Sequence, residues 1–377
     1  MTTTINNKNK KPNVPNLRFL EFQGEWEKTK IGDIAIVVGG GTPDTNTSQY
    51  WNGKIQWFTP SEIGRNKYVY NSVRTISEEG LNKSSAKLLP IGTILLSSRA
   101  TVGECSINKK ECTTNQGFQS LIPKENISNE FVYYLIQTKR KDLIRKSCGS
   151  TFLEISANEV RKIVVSIPTI KEQDKIAKLL SLLDDRIATQ NKIIDKLQSL
   201  IKGIAQNIVR NNKPNIRLSE CLECKSSTLQ ESDVCEQGTY PVYGANGIVG
   251  YLDNYNTEGE AVYIIKDGSG VGTVSYVEGK CSATGTLNTL QAKEGYSLQY
   301  LYYLLKVFNF KPYKTGMAIP HIYFKDYGKA KVFCPSYIEQ LRYAQLLSAI
   351  DNKLSIEQNL LTELRLQKQY LLRQMFI

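Results

Sequence analysis

The chain has 377 residues, of which 48 are Lys or Arg, 36 are Asp or Glu and one is His, giving a formal net charge of +12 and a pI near 9.1. At roughly 150 residues per domain this length suits two or three domains, and 41% hydrophobic content supports buried cores, so wholesale disorder and a collagen-like fibre are excluded. The positive excess points to acidic partners, and a single histidine leaves few hydrolytic machines to assemble.

Residues 1–15 are polar and Lys-rich with no apolar h-region, so a disordered tail is expected rather than a signal peptide. No later segment approaches about 18 uninterrupted apolar residues, and the chain is expected to be soluble and cytoplasmic. Residues 16–167 are rich in Gly, Tyr and Asn, with short β-like runs such as Gly92 to Ser97 and a short helix around Tyr133-Tyr134-Leu135. They read as a first mixed α/β domain. Its basic cluster, Lys139, Arg140, Lys141, Arg145 and Lys146, leads to Gly149-Ser150-Thr151. Basic groups just before a Gly-containing loop suit phosphate contacts beside a loop that approaches base edges, although a solvated helix face has the same composition.

Residues 168–210 form an amphipathic run after Pro168, with Leu180, Leu183, Ile187, Gln190, Ile194, Leu197, Ile201, Ile204 and Ile208 spaced alternately by three and four. At 1.5 Å per residue such a helix is roughly 65 Å long, which requires a partner along its length.

Residues 211–334 read as a second domain, with a β-like run from Ala261 to Lys266 and another short helix around Tyr302-Tyr303-Leu304. Cys221 and Cys224 have metal-like spacing, but a closed zinc site needs four ligands and the sole His, His321, is far away; buried thiols and a hydrogen-bonded structural His are the expected readings, with no metal site. Gly268-Ser269-Gly270-Val271-Gly272 lacks the final spacing and following helix of a dinucleotide fingerprint, so a tight turn is expected. No P-loop and no adjacent prolines are present, which removes the phosphate cradle of common ATPases and the Asn/Asp-Pro-Pro-aromatic loop of amino methyltransferases. Lys306, Lys311 and Lys314 precede Gly316 as the first cluster precedes Gly149.

Residues 335–377 repeat the first amphipathic run. With a shift of 167 residues and no gap, Pro168, Glu172-Gln173, Ala177, Leu179-Leu180-Ser181 and Asp184 fall over Pro335, Glu339-Gln340, Ala344, Leu346-Leu347-Ser348 and Asp351. The second seam is Leu347, Ile350, Leu354, Glu357, Leu361, Leu364, Lys368, Leu371 and Met375. Its polar Glu357 aligns with Gln190. If the two helices pack antiparallel about a pseudo-two-fold axis, these residues meet and fix the helix-pair register. The expected fold is α+β, with two related mixed α/β domains separated by two long antiparallel coiled-coil helices.

Net charge follows this division: +3 in the tail, +5 in the first domain, +3 in the first long helix, 0 in the second domain and +1 in the second helix. Binding would therefore rest on placed residues rather than on a uniform field.

Several ordered pieces then converge on one family. Gly39-Gly40-Gly41-Thr42-Pro43, Tyr50-Trp51 through Trp57, Ser97-Ser98-Arg99-Ala100-Thr101-Val102-Gly103 and Thr113-Thr114-Asn115-Gln116-Gly117-Phe118 together resemble target-recognition domains of the specificity (S) subunit of type I restriction-modification systems. In the second half, Tyr240 to Gly250 and Lys266 to Gly272 are similar to another variety of that domain. The resemblance runs from about residue 16 onward. It implies a subunit that is not an enzyme: each target-recognition domain reads half of a bipartite, asymmetric DNA site, and the long helices dock two modification (adenine methyltransferase) subunits. Restriction subunits complete the nuclease, with S-adenosylmethionine, ATP and Mg bound on the partner subunits and none on this chain.

Candidate DNA contacts are Arg99 and Thr101 in the first domain and Tyr243, Asn246 and Ser269 in the second, chosen for loop position and hydrogen-bonding ability. Lys139, Arg140 and Arg145 are candidates for phosphate contacts, and Ser150, Thr151 and Lys314 are further candidate DNA contacts. Two other functions remain open: a self-contained DNA-modifying enzyme with unfamiliar machinery, and a coiled-coil scaffold without a nucleic-acid role.

Overall fold

The computed structural model describes residues 12–149 and 153–377, which divide into two compact units: residues 1–188 with 362–377, and residues 189–361.

In the first unit, the strands Ala35–Gly39, Gln119–Pro123, Ile94–Leu96, Cys105–Asn108 and Tyr68–Val69 form a five-stranded sheet in that order. A second sheet sets Trp51–Phe58 between Arg74–Ile76, to which it is antiparallel, and Cys112–Thr114, to which it is parallel. A two-stranded ladder pairs Glu27–Lys30 with Val164–Ile167. The helix Asn129–Thr138 buries Phe131, Tyr134, Leu135 and Ile136 in one core with Ile94, Leu96, Ile107 and Leu121 of the large sheet. Apolar side chains on both sides of the interface remove it from water, and this burial dominates the stability of such a layer.

The second unit repeats the plan. Leu222–Ser226, Leu287–Ala292, Ala261–Ile265 and Val274–Val277 form a four-stranded sheet in the order of their counterparts, lacking only one equivalent to Tyr68–Val69. Tyr240–Gly244 lies between antiparallel Gly247–Leu252 and parallel Ser282–Ala283, and Ile216–Arg217 pairs with Lys331–Val332. The helix Leu298–Val307 supplies Tyr300, Leu301, Leu304 and Leu305 as buried residues. The weak echo visible in the sequence is thus a topological repeat short of one strand.

Two long helices, Ile170–Arg210 and Tyr337–Gln374, begin two residues after Pro168 and Pro335 and contribute to both units. Pro cannot donate a backbone hydrogen bond, so it sits outside each first turn. Within the first unit, Ile176, Ala177 and Leu180 join a core with Met375 and Phe376, and Asp184 pairs with Lys368 at 2.6 Å, so the two segments run in opposite directions. The Phe376 ring stacks on Phe131 with centroids 5.2 Å apart. Within the second unit, Ile194, Ile201, Ile208, Leu347, Leu354 and Leu361 are buried seam residues. Gln190 donates to the Glu357 carbonyl at 3.0 Å and also to its carboxylate, so the two aligned polar seam residues meet. Lys353, one turn earlier, pairs with the same carboxylate at 2.5 Å.

The Glu-Gln repeat explains how each domain joins its helix. Gln173 accepts from the Ser128 N–H at 3.0 Å and donates to the Pro168 carbonyl at 2.9 Å; Gln340 accepts from the Ser297 N–H at 2.9 Å and donates to the Pro335 carbonyl at 2.9 Å. Both glutamines are 1% exposed, so these are bonds without a water substitute. Three turns later, Asp184 accepts from the Tyr134 hydroxyl at 2.7 Å and Asp351 from Tyr303 at 3.2 Å. Burial, with the neighbouring carboxylate, drives both phenols far above their ordinary pKa and keeps them donors. Glu172 is engaged differently from Glu339: it accepts a two-point contact from Arg18 at 2.8 Å each and one from the Trp26 indole at 3.2 Å, whereas Glu339 caps its own helix through Ser336.

Of the tail expected over residues 1–15, residues 1–11 lie outside the described residues, and Asn13 exchanges hydrogen bonds with the Trp26 backbone. No helix among the described residues is long and apolar enough to cross a membrane.

Candidate nucleic-acid interface

Each large sheet delivers a turn to one end of its unit. In the first, the chain leaves Ile94–Leu96, passes through Ser97 to Glu104 and returns along Cys105–Asn108. Gly103 is held at φ +87°, and a Cβ there would meet Arg140 Cγ at 2.8 Å, so glycine permits both the left-handed turn and the close approach of the following helix. Arg140 pairs with Glu104 at 3.3 Å. Thr101 donates to the Ser97 hydroxyl at 3.1 Å, and Arg99 binds Glu154 through Nε at 3.1 Å and Nη2 at 2.6 Å. Arg99, Thr101 and Arg140 therefore surround one turn, and each already has a partner within the unit.

Lys139 caps the start, and Arg145 forms the end, of the helix Arg140–Arg145. Lys139 donates to the Ile377 carbonyl at 2.7 Å, and its burial pulls its pKa down against the opposing pull of Asp142. Arg145 is 77% exposed and, among the described residues, pairs with Asp142 at its i−3 position. Ser150 and Thr151 lie outside the described residues.

In the second unit, the turn Asp267 to Gly272 leaves Ala261–Ile265 in the same way, confirming a tight turn at the glycine run; Ser269 is exposed on it. Lys314 is exposed just before a narrow hairpin in which Thr315 and His321 exchange backbone hydrogen bonds at 2.9 and 2.7 Å. Tyr243 and Asn246 lie on the other sheet of the unit: Asn246 is exposed in the turn between Tyr240–Gly244 and Gly247–Leu252, while Tyr243 is half-buried with its ring centroid 5.6 Å from Tyr263. Ser269 and Lys314 are brought to one edge, and Asn246 belongs to a separate hairpin.

His321 is hydrogen-bonded, its Nδ1 lying 2.6 Å from Asp267 Oδ1, as expected of a structural histidine. Cys221 is buried, donating to the Leu218 carbonyl, with burial pushing its thiol up to about 12; Cys224 is half-buried. Cys148 and Cys235, by contrast, are exposed. No cluster of His, Cys, Asp or Glu able to hold a metal ion occurs among the described residues. Sequence reasoning missed Glu154 and Asp267 as partners of Arg99 and His321, because both pairs are distant in sequence and have unlike residues at equivalent places.

Comparison with known proteins agrees with this doubled plan. The family model for the type I restriction modification DNA specificity domain matches twice, over residues 23–199 and 213–366. The chain belongs to that family. It is 41% identical over 180 residues to the MjaIX type I restriction enzyme specificity subunit of Methanocaldococcus jannaschii, covering 46% of this chain and 42% of that one. Identity to the EcoprrI specificity subunit of Escherichia coli is 24% over 356 residues, covering 87% and 88%. The alignment spans less than half the length of the first of these relatives and most of the second. Among solved structures, the type I restriction-modification S subunit from Mycoplasma genitalium shares the fold at a TM-score of 0.67 and 20% identity, covering 97% of this chain and 99% of that one.

Proposed function

We propose that this chain is the DNA sequence-specificity subunit of a type I restriction-modification complex, working in the cytoplasm without catalysing a reaction itself. Each unit reads one half of a bipartite, asymmetric site in double-stranded DNA, and the long helices recruit two modification subunits, with restriction subunits in the full complex. S-adenosylmethionine, ATP and Mg then belong to those partners. The observation that carries the reading is the twofold occurrence of one strand order, each copy within a match to the specificity domain. Two frames of the same topology with different turn residues suit two different half-sites on a duplex whose backbone repeats but whose bases do not. Arg145, Lys314, Asn246 and Ser269 are exposed candidates for contact, Arg99 and Arg140 are exposed but each paired with a glutamate, and Thr101, Tyr243 and Lys139 contribute from half-buried positions.

The test is methylome sequencing of a methylation-deficient host expressing this chain with its modification subunit. The expected result is adenine methylation at a split, asymmetric sequence that vanishes when this chain is omitted. Methylation or cleavage by the purified chain alone would favour a self-contained enzyme, and no DNA binding with the partner present would favour a scaffold.

A further inference from the structure

In each unit a backbone bridge beyond the basic cluster is fastened to the neighbouring turn by the same construction, with the acidic residue on the opposite side. In the second unit, Thr315 and His321 close the hairpin, Gly268 N–H donates to the Pro320 carbonyl at 3.0 Å, and Ile322 N–H donates to the Lys266 carbonyl at 2.9 Å. Asp267 and His321 lie opposite each other as a β-bridge, and their side chains meet at 2.6 Å. In the first unit, Cys148 and Glu154 exchange backbone bonds at 2.9 Å each, Ile155 N–H donates to the Ser98 carbonyl at 3.0 Å, and Arg99 faces Glu154 as a β-bridge with a two-point ion pair. Ile155 and Ile322, the residues after each clasp, are 0% and 1% exposed and anchor the returning strand in the core.

The clasp holds something that points outward. Between Thr315 and His321 lie Gly316, Met317, Ala318, Ile319 and Pro320; Met317 is fully exposed and Ile319 is 58% exposed, with Lys311 and Lys314 close by in sequence. Gly316 is at φ +85°, and a Cβ there would come within 2.3 Å of the Ile319 carbonyl oxygen, so the loop's shape is tightly prescribed although its side chains pack against little. An apolar tip flanked by lysines suits a duplex groove, where the cations meet phosphates and apolar groups meet base edges or thymine methyls.

We propose that Asp267 and His321 form a positioning pair that presents the Gly316 to Pro320 loop to DNA, and that Arg99 and Glu154 are the corresponding pair at the turn of the first unit. This rests on the DNA-recognition reading above and assigns Arg99 to holding the turn rather than to reading a base. Backbone bonds set the loop's path, and the Asp267–His321 side-chain hydrogen bond locks its attachment to the turn that carries Ser269. The opposite polarity shows that the position requires a matched pair rather than a particular residue. Asp267 also lies 3.8 Å from Lys266 Nζ, so reversing its charge places two cations side by side and removes the histidine's partner.

The experiment compares the wild-type chain with D267R and with the double variant D267R/H321E, which installs the polarity of the first unit. Hydrogen exchange on the full chain reads the clasp directly. D267R accelerates exchange at the Gly268, Thr315 and His321 amides about tenfold or more, and the double variant restores protection. Methylome sequencing with the modification subunit reads the consequence. D267R relaxes base discrimination in one half-site by about tenfold while the other half stays as in the wild type, and the double variant recovers it. Unchanged exchange at those amides in D267R overturns the positioning pair whatever the DNA result. Altered exchange with intact discrimination at both halves overturns the loop's role in recognition. A wild-type chain that imposes no sequence on methylation refutes the functional reading alone, because the exchange measurement does not depend on it.

Discussion

Replacing Gln173 with Leu tests the joint between the first domain and its long helix. Leucine has nearly the same volume, so the packing is preserved while both amide contacts are lost. The Ser128 N–H and the Pro168 carbonyl are then left without their partner beside a residue that is 1% exposed. At about 1–2 kcal/mol for each stranded group, the cost is about 2–4 kcal/mol. With a urea dependence of about 2 kcal/mol/M, the unfolding midpoint falls by about 1–2 M. All three tryptophans, Trp26, Trp51 and Trp57, belong to the first unit, so their fluorescence reports on it selectively. Gln173→Glu separates the two contacts: the carboxylate still accepts from Ser128 but cannot donate to Pro168. A midpoint for Gln173→Leu within about 0.3 M of wild type would refute the claim that these bonds secure the joint. Gln340→Leu is the matched experiment in the second unit, followed by circular dichroism.

Burial pushes the Glu130 carboxyl upward, but the Tyr68 hydroxyl and the Lys67 ammonium, 3.0 Å away, together hold it below its ordinary value of 4.5. A carboxylate depressed in the folded state adds stability above pH 4.5 that disappears as pH falls through its folded value, so Glu130→Gln should flatten the acid loss of stability in urea titrations taken across that range. Arg145→Gln should lower the slope of log affinity against log salt by about one, on specific and unrelated duplexes alike, in fluorescence anisotropy; a changed recognition sequence with an unaltered slope would identify a base contact instead. Removing matched seven-residue units from both long helices should change the spacer between half-sites and leave each half intact in methylome sequencing, and a fixed spacer would contradict a ruler role.

The long helices were legible because their apolar residues recur at a strict interval and their starts carry Pro, Glu and Gln at a constant offset. The meeting of Gln190 with Glu357 was legible only on the further condition that the two runs pack antiparallel about a pseudo-two-fold axis. The domains were less legible. Their strands are short, as with Ile94–Leu96 and Cys112–Thr114, and the strand order depends on pairings across many residues, such as Ala35–Gly39 with Gln119–Pro123, that no local pattern announces. Among the candidate contacts, loop position was readable at Asn246 and Ser269 because turn residues mark loops. Side-chain occupancy was not readable: Arg99 and Arg140 look like free cations in the sequence, and Glu154 and Glu104 engage them only once the chain has folded.

The Gln190 to Glu357 contact sets a rule for what the chain could become if divided. Two residues at the same place in the repeat touch each other, so two copies of either half, assembled in the same way, would bring a residue against its own duplicate. Copies of the first half would set glutamine against glutamine, and each amide could donate to the other. Copies of the second half would set carboxylate against carboxylate in a seam where Glu357 is 7% exposed, each keeping its own Lys353 but without the amide donor between them. The intact chain is in this sense a heterodimer made permanent by a peptide link, with one partner suited to pairing with itself and the other dependent on being joined to it.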